Sequence, residues 1–141
     1  HVYMYALMVE HFLKYQTLWN GEDGHIYMYQ SELPYDVPDQ SQWMSEHGTQ
    51  NGYASLKVAD HVQNFESWGV GVYSYHRDAP VMCGLGVKVP DRENVVLHHT
   101  FTRFLNGHTG IQHVINTSGE CVNTDHRQAN IIKYKNGVVY N

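Results

Sequence analysis

No helix announces itself in this sequence. No window of eleven or more residues sets apolar side chains at i, i+3, i+4 and i+7, which excludes a helical bundle or a coiled coil. Long apolar runs are missing too, so no segment is fit to span a bilayer as a helix. Charge is scarce: Asp, Glu, Lys and Arg make up 16% of 141 residues, with 9 basic against 14 acidic and a net charge of -5. Without a basic excess, a nucleic-acid binder and a polybasic membrane-surface module are both excluded. Only four prolines and two cysteines occur. Cys83 and Cys121 form no CxxC pair, which leaves one disulfide or two free thiols open. The GxSxG, HExxH, P-loop and strand-bound GxGxxG signatures are absent, and no cofactor is expected. No metal is expected either: His98 and His99 are adjacent and face opposite sides of a strand, whereas a zinc site needs three or four converging ligands.

What the chain does have is rings. It carries 11 Tyr and 11 His, with 42% apolar and 13% aromatic residues, enough to rule out disorder. At 16.3 kDa it fits one domain over residues 1–141 with a real core. Short strand patterns cover Tyr3–Val9, His11–Leu18, His25–Gln30, Ser55–Val58, Val70–Tyr75, Gly86–Val89, Val95–His99, Thr102–Leu105, Ile111–Ile115, Ile131–Lys135 and Val138–Tyr140. Turn pairs such as Asn20-Gly21, Asn51-Gly52, Asn106-Gly107 and Asn136-Gly137 separate them. Pro34–Gln50 has no strand character and reads as a long functional loop. Many short strands allow an antiparallel sandwich or a β-solenoid. Near-continuous apolar runs such as Val70-Gly71-Val72-Tyr73 and irregular connections favour the solenoid. Asn116-Thr117-Ser118 matches a glycosylation sequon, a pattern common by chance. Mid-strand residues directly after His1 read as part of a longer chain.

The stretch Tyr29-Gln30-Ser31-Glu32-Leu33-Pro34-Tyr35-Asp36 concentrates the chemistry. Glu32 stands where a strand gives way to a stiff turn, because Pro34 holds Leu33 extended and fixes the exit direction. A carboxyl at such a rim, with Tyr35 and Trp43 following, is the composition of a sugar site. Rings stack on pyranose faces while an acid protonates a glycosidic oxygen. The plain alternative is a solvated loop carboxylate beside an edge-packing tyrosine.

The run from His11 to Asp36, with Tyr15-Gln16-Thr17-Leu18-Trp19-Asn20-Gly21 and Ser31-Glu32-Leu33-Pro34-Tyr35-Asp36, resembles the C-terminal β-helix domain of glycoside hydrolase family 55. The likeness extends through Gly52-Tyr53, Tyr73-Ser74-Tyr75, Phe104-Leu105-Asn106-Gly107 and Gly110–Asn116. The family consists of inverting exo-β-1,3-glucanases with two right-handed parallel β-helices side by side. The resemblance therefore implies an all-β, right-handed parallel β-helix that is a fragment of a larger protein, secreted or at the cell surface. It implies Glu32 as general acid and Tyr35 in the sugar subsite, with Trp19 and Trp43 as further substrate contacts or rung-packing rings. The implied partners are a polysaccharide or oligosaccharide and a missing N-terminal β-helix domain of the same chain. Asp36, Asp39 and Glu46 are the candidates within the chain for the base side, and without that missing domain the fragment is expected to be inactive. A non-catalytic carbohydrate-binding or cell-surface solenoid is the alternative, and a trimeric viral tail solenoid a weaker third.

Overall fold

The computed structural model describes residues 1–141. It contains twelve strands: β1 (Val2–Glu10), β2 (Thr17–Trp19), β3 (Gly24–Glu32), β4 (Met44–Ser45), β5 (Gln50–Asn51), β6 (Leu56–Val58), β7 (Asn64–His76), β8 (Cys83–Lys88), β9 (Asn94–Gly107), β10 (Ile111–Ile115), β11 (Gln128–Lys135) and β12 (Val138–Tyr140). They form a large sheet in the order β1-β3-β7-β9-β11-β12 and a smaller sheet in the order β2-β6-β8-β10. The chain crosses between the two sheets and advances one strand in each at every crossing. Pairing is parallel from β1 to β9 and throughout the small sheet. It turns antiparallel at β9–β11 and in the β11–β12 hairpin. The expected hairpin around Asn136-Gly137 is found, with Asn136 at φ 49° and Gly137 at φ 76°.

In-register parallel pairing repeats every position at the inter-strand spacing, so side chains stack into columns. Ile26, Ser67, Leu97 and Tyr134 form one interior column, and Tyr29, Val70, Thr100 and Ile131 another. Leu56, Val58, Val87 and Ile115 meet them from the small sheet, and these side chains belong to one buried cluster of 27 residues. The polar members are partly bridged across the interior: Tyr29 Oη bonds Thr17 and Ser55, and Ser55 Oγ also bonds Ser31.

The long strands bend at one shared place. Ala6, Met28, Gly69 and His99 all have positive φ, between 53° and 71°. They lie between the same two register pairs, Tyr5↔Tyr27↔Trp68↔His98 and Leu7↔Tyr29↔Val70↔Thr100. A left-handed residue in every coil shifts the inward alternation by one, from Phe65 and Ser67 before it to Val70, Val72 and Ser74 after it. Outside, before the bend, rings stack face to face: Tyr5–Tyr27 at 5.1 Å, Tyr27–Trp68 at 4.7 Å and Trp68–His98 at 5.1 Å. These separations match the strand spacing, so the column follows from the register.

The segment expected as a long loop leaves the coil after β3 and rejoins it at β6. Two short 3-10 turns, Gln40–Gln42 and Glu46–Gly48, and the small β4–β5 pair lie in it. Buried Leu33, Val37 and Trp43 pin it to the core. Its tip is tied down by Glu46, which meets Lys57 at 2.9 Å and Lys88 at 3.0 Å and accepts from Tyr15 Oη. Bonding to Lys57 and then Lys88 pulls its carboxyl down to about 2. Glu46→Gln leaves two lysines on neighbouring strands without a counter-charge, so we expect roughly 1–3 kcal/mol of lost stability. Thermal melting checks the loss, and limited proteolysis should then cut first between residues 34 and 53.

Three further expectations meet the structure here. The His11–Leu18 strand shrinks to Thr17–Trp19, because Gln16 turns back to bond the Phe12 backbone N–H and carbonyl. Cys83 and Cys121 are both free thiols, and burial raises the Cys83 thiol to about 12. The sequon asparagine is occupied: the two hydrogens of Asn116 Nδ2 are shared among Val89 O, Asp91 and Tyr134 Oη, and its Oδ1 accepts from Val89 N–H. An amide used four times inside the fold is a poor glycan acceptor.

Candidate functional site

Glu32 is the last residue of β3, and backbone bonds on both sides hold it. Its carbonyl accepts from His11 N–H at 3.0 Å, and the next residue, Leu33, donates to Tyr73 O at 3.0 Å. Leu33 is fully buried, so the chain dives into the core directly after the carboxylate. Arg77 N–H then clips Tyr35 O at 3.0 Å. The Leu-Pro-Tyr turn is thus sewn to β7 along its length, and Glu32 is left on the outer face with its side chain 19% exposed.

The neighbours of Glu32 come from three coils. Tyr35 Oη donates to Glu32 Oε2, and His11 Nε2 lies 3.4 Å from the same oxygen. The His11 and Tyr35 rings are 4.3 Å apart, and the Tyr75 ring is 4.9 Å beyond Tyr35. Glu10 on β1 and Tyr73 on β7 flank Glu32 in register, followed by Arg103 on β9. An open depression beside this group is lined by His11, Tyr35, Asp36 and Arg77. The Arg77 guanidinium is occupied by Asp78 at 2.7 Å and holds that carboxyl below its ordinary value. A carboxyl next to stacked rings and an open concavity can hold a polar ligand and exchange a proton with it.

Of the residues named from sequence, Glu32 and Tyr35 are brought together and face outward. Trp19 and Trp43 are not. Trp19 is 8% exposed and packs edge-on against Phe65 at 5.4 Å, with its indole N–H on Gly21 O. Trp43 is 1% exposed, bonds Leu13 O and packs against His76 at 5.2 Å. Of the two roles open to them, substrate contact or rung packing, their burial fits packing, where large rings contribute most apolar area. Among the base-side candidates, Asp39 caps the first 3-10 turn, and hydrogen bonds from Ser41 and Gln42 lower its carboxyl. Glu46 is tied to two lysines. Asp36 alone shares the depression with Tyr35. Sequence reading missed His11, which no motif marks. Its left-handed backbone, φ 64°, turns its ring back toward Glu32.

Residues 1–32, which hold β1 to β3, match the family model described as LAM55 pectate lyase-like domain. The chain is 38% identical over 121 residues to an exo-beta-1,3-glucanase of Streptomyces sp. SirexAA-E, covering 85% of this chain and 20% of that protein. Two solved structures of sacteLam55A from the same organism superpose with a TM-score of 0.89 at 34% identity, over 94% of this chain and 24% of theirs. One of them is a glutamate-to-alanine variant in complex with glucose. The resemblance to glycoside hydrolase family 55 drawn from the sequence is thereby shown: the chain is exo-β-1,3-glucanase-like, and it spans about a fifth to a quarter of the relatives it matches.

Proposed function

We propose that this chain is the acid-bearing part of an inverting β-1,3-glucan hydrolase, built as a right-handed parallel β-helix, with Glu32 as the general acid. The observation that carries the reading is a strand-end carboxyl held between Tyr35 and His11 at the edge of an open depression. The glucanase of 38% identity and the glucose complex of a relative support a glucan as the ligand.

In this reading Glu32 gives its proton to the glycosidic oxygen as the bond breaks. A water attacks the anomeric carbon from the opposite face. Inversion needs a base about 6.5–9.5 Å from the acid. Asp36 is the base-side candidate that shares the depression; otherwise that group comes from a second β-helix. Such a partner domain would pack against the outer face of the large sheet, where the ring column and the exposed Tyr3, Tyr5 and Met8 offer apolar contact. Tyr35 borders the sugar subsite. The protein acts outside the cell, where glucans are met.

The test is the natural full-length polypeptide incubated with laminarin-type glucan, its product followed by proton NMR. We expect the α-anomer of the released sugar to appear first and then mutarotate. A β-anomer would exclude inversion. Glycan binding with no product would favour a carbohydrate-binding solenoid instead.

A further inference from the structure

We propose that His11 is a positioning residue for Glu32: together with Tyr35 it fixes one carboxyl oxygen and thereby leaves the other to carry the transferable proton. The inference rests on the reading of Glu32 as the acid and goes beyond it by assigning the two oxygens.

Both contacts fall on a single atom. Tyr35 Oη donates to Oε2, and His11 Nε2 points to the same Oε2 at 3.4 Å. An acceptor there requires the His11 tautomer with hydrogen on Nε2. A carboxyl whose Oε2 accepts twice keeps its own proton on Oε1. That is the geometry a proton donor needs, because the donated hydrogen must face the ligand and not the protein. The 3.4 Å contact is long for a hydrogen bond, and catalytic contacts of this kind tighten when a ligand fills the site.

The backbone is built around the same pair. His11 adopts a left-handed conformation, φ 64°, which is strained for a non-glycine residue. Its N–H is bonded to Glu32 O, so the backbone and the ring of one residue hold the backbone and the carboxyl of the other. The ring packs at 4.3 Å on Tyr35, which keeps the two donors in step. Other titratable groups around the carboxyl are Glu10 and Tyr73, beside it in register, then Arg103 beyond Tyr73, and Asp36 and Arg77 across the depression. Glu10 is engaged by Gln30 Nε2 at 3.2 Å, and Arg103 by Gln128 at 2.6 Å. His11 and Tyr35 are the side chains that reach Oε2.

The experiment uses the full-length protein with His11→Phe, His11→Gln and Glu32→Gln, assayed on two substrates. One is a β-1,3-glucan, whose sugar leaving group needs an acid. The other is an aryl β-glucoside with a strongly acidic phenol, whose leaving group does not. On glucan, His11→Phe should lower kcat roughly tenfold with KM within about twofold, since small displacements of a reacting group carry penalties of this size. His11→Gln keeps an N–H in reach and should recover most of that loss. On the aryl glucoside, all three variants should stay within about threefold of the parent. If His11→Phe loses equally on both substrates while Glu32→Gln is selective for glucan, His11 is only structural and the proposal falls alone. If Glu32→Gln itself keeps glucan activity within about tenfold, the acid assignment falls and the proposal falls with it.

Discussion

Glu32→Gln should reduce glucan hydrolysis by the full-length protein by roughly 10²- to 10⁴-fold, the range a general acid contributes. The substitution is close to isosteric. The amide oxygen can still accept from Tyr35 and His11, so the Leu33–Tyr35 turn and its backbone clips to Tyr73 and Arg77 should stand. What disappears is the proton. Melting temperature and KM should therefore move little while kcat collapses. A loss below about tenfold, measured as initial rates on laminarin-type substrate, would remove Glu32 from the role. The pattern across substrates adds a chemical check. A good leaving group relieves the need for protonation, so the deficit should shrink as the aglycone becomes more acidic. A misfolded variant would show no such gradient.

The second large effect concerns acid stability and centres on His76. Its ring is fully buried, neither nitrogen has a hydrogen-bond partner, and it packs edge-on to Trp43. Burial penalises the imidazolium and pushes the group down from 6.5 to about 4. The nearby Pro34 and Gly110 backbone groups oppose this without cancelling it. The sign is fixed by proton counting. Between pH 6.5 and 4 the unfolded chain holds a proton at this position that the folded chain refuses. Stability is thus complete above pH 6.5, falls as the pH drops toward 4, and levels off below. The loss is about 3 kcal/mol if the ring titrates alone. His76→Phe keeps a ring against Trp43 without the titration. It should flatten this part of the profile in urea melts at pH 7, 5.5 and 4. An unchanged slope would remove His76 from the acid response. His76 also sits at the end of β7, under the turn that carries Glu32, so acid loosening there should reach the site early.

The strands are readable where one alternation holds from end to end. Ile111–Ile115 and Val138–Tyr140 match the sequence pattern to the residue, and Leu33-Pro34-Tyr35 marks the strand end that falls at Glu32. The long strands are not, for a physical reason. β9 was read as two pieces because its inward pattern changes phase at His99, and β7 was recognised only after the equivalent bend at Gly69. Glycine advertises a left-handed corner; Ala6, Met28 and His99 do not. Which tryptophan packs and which one faces solvent was equally hidden. Trp19 and Trp43 lie in segments with turn-like composition, and only the assembled coil shows that their rings fill its interior. His11 escaped notice because its partner is 21 residues away and meets it through strand register.

The switch from parallel to antiparallel pairing at β9–β11 gives the molecule an evolutionary direction. A duplicated coil can be spliced in among β1 to β9 and find matching neighbours above and below, since every junction there repeats the same geometry. Past Asn94 that freedom ends. The reversed ribbon of β11 and β12 pairs antiparallel, so it does not offer a further rung of the large sheet the parallel edge that β1 to β9 offer one another. The carboxylate pair Glu10 and Glu32 lies in the parallel part of the scaffold, where such matching neighbours repeat.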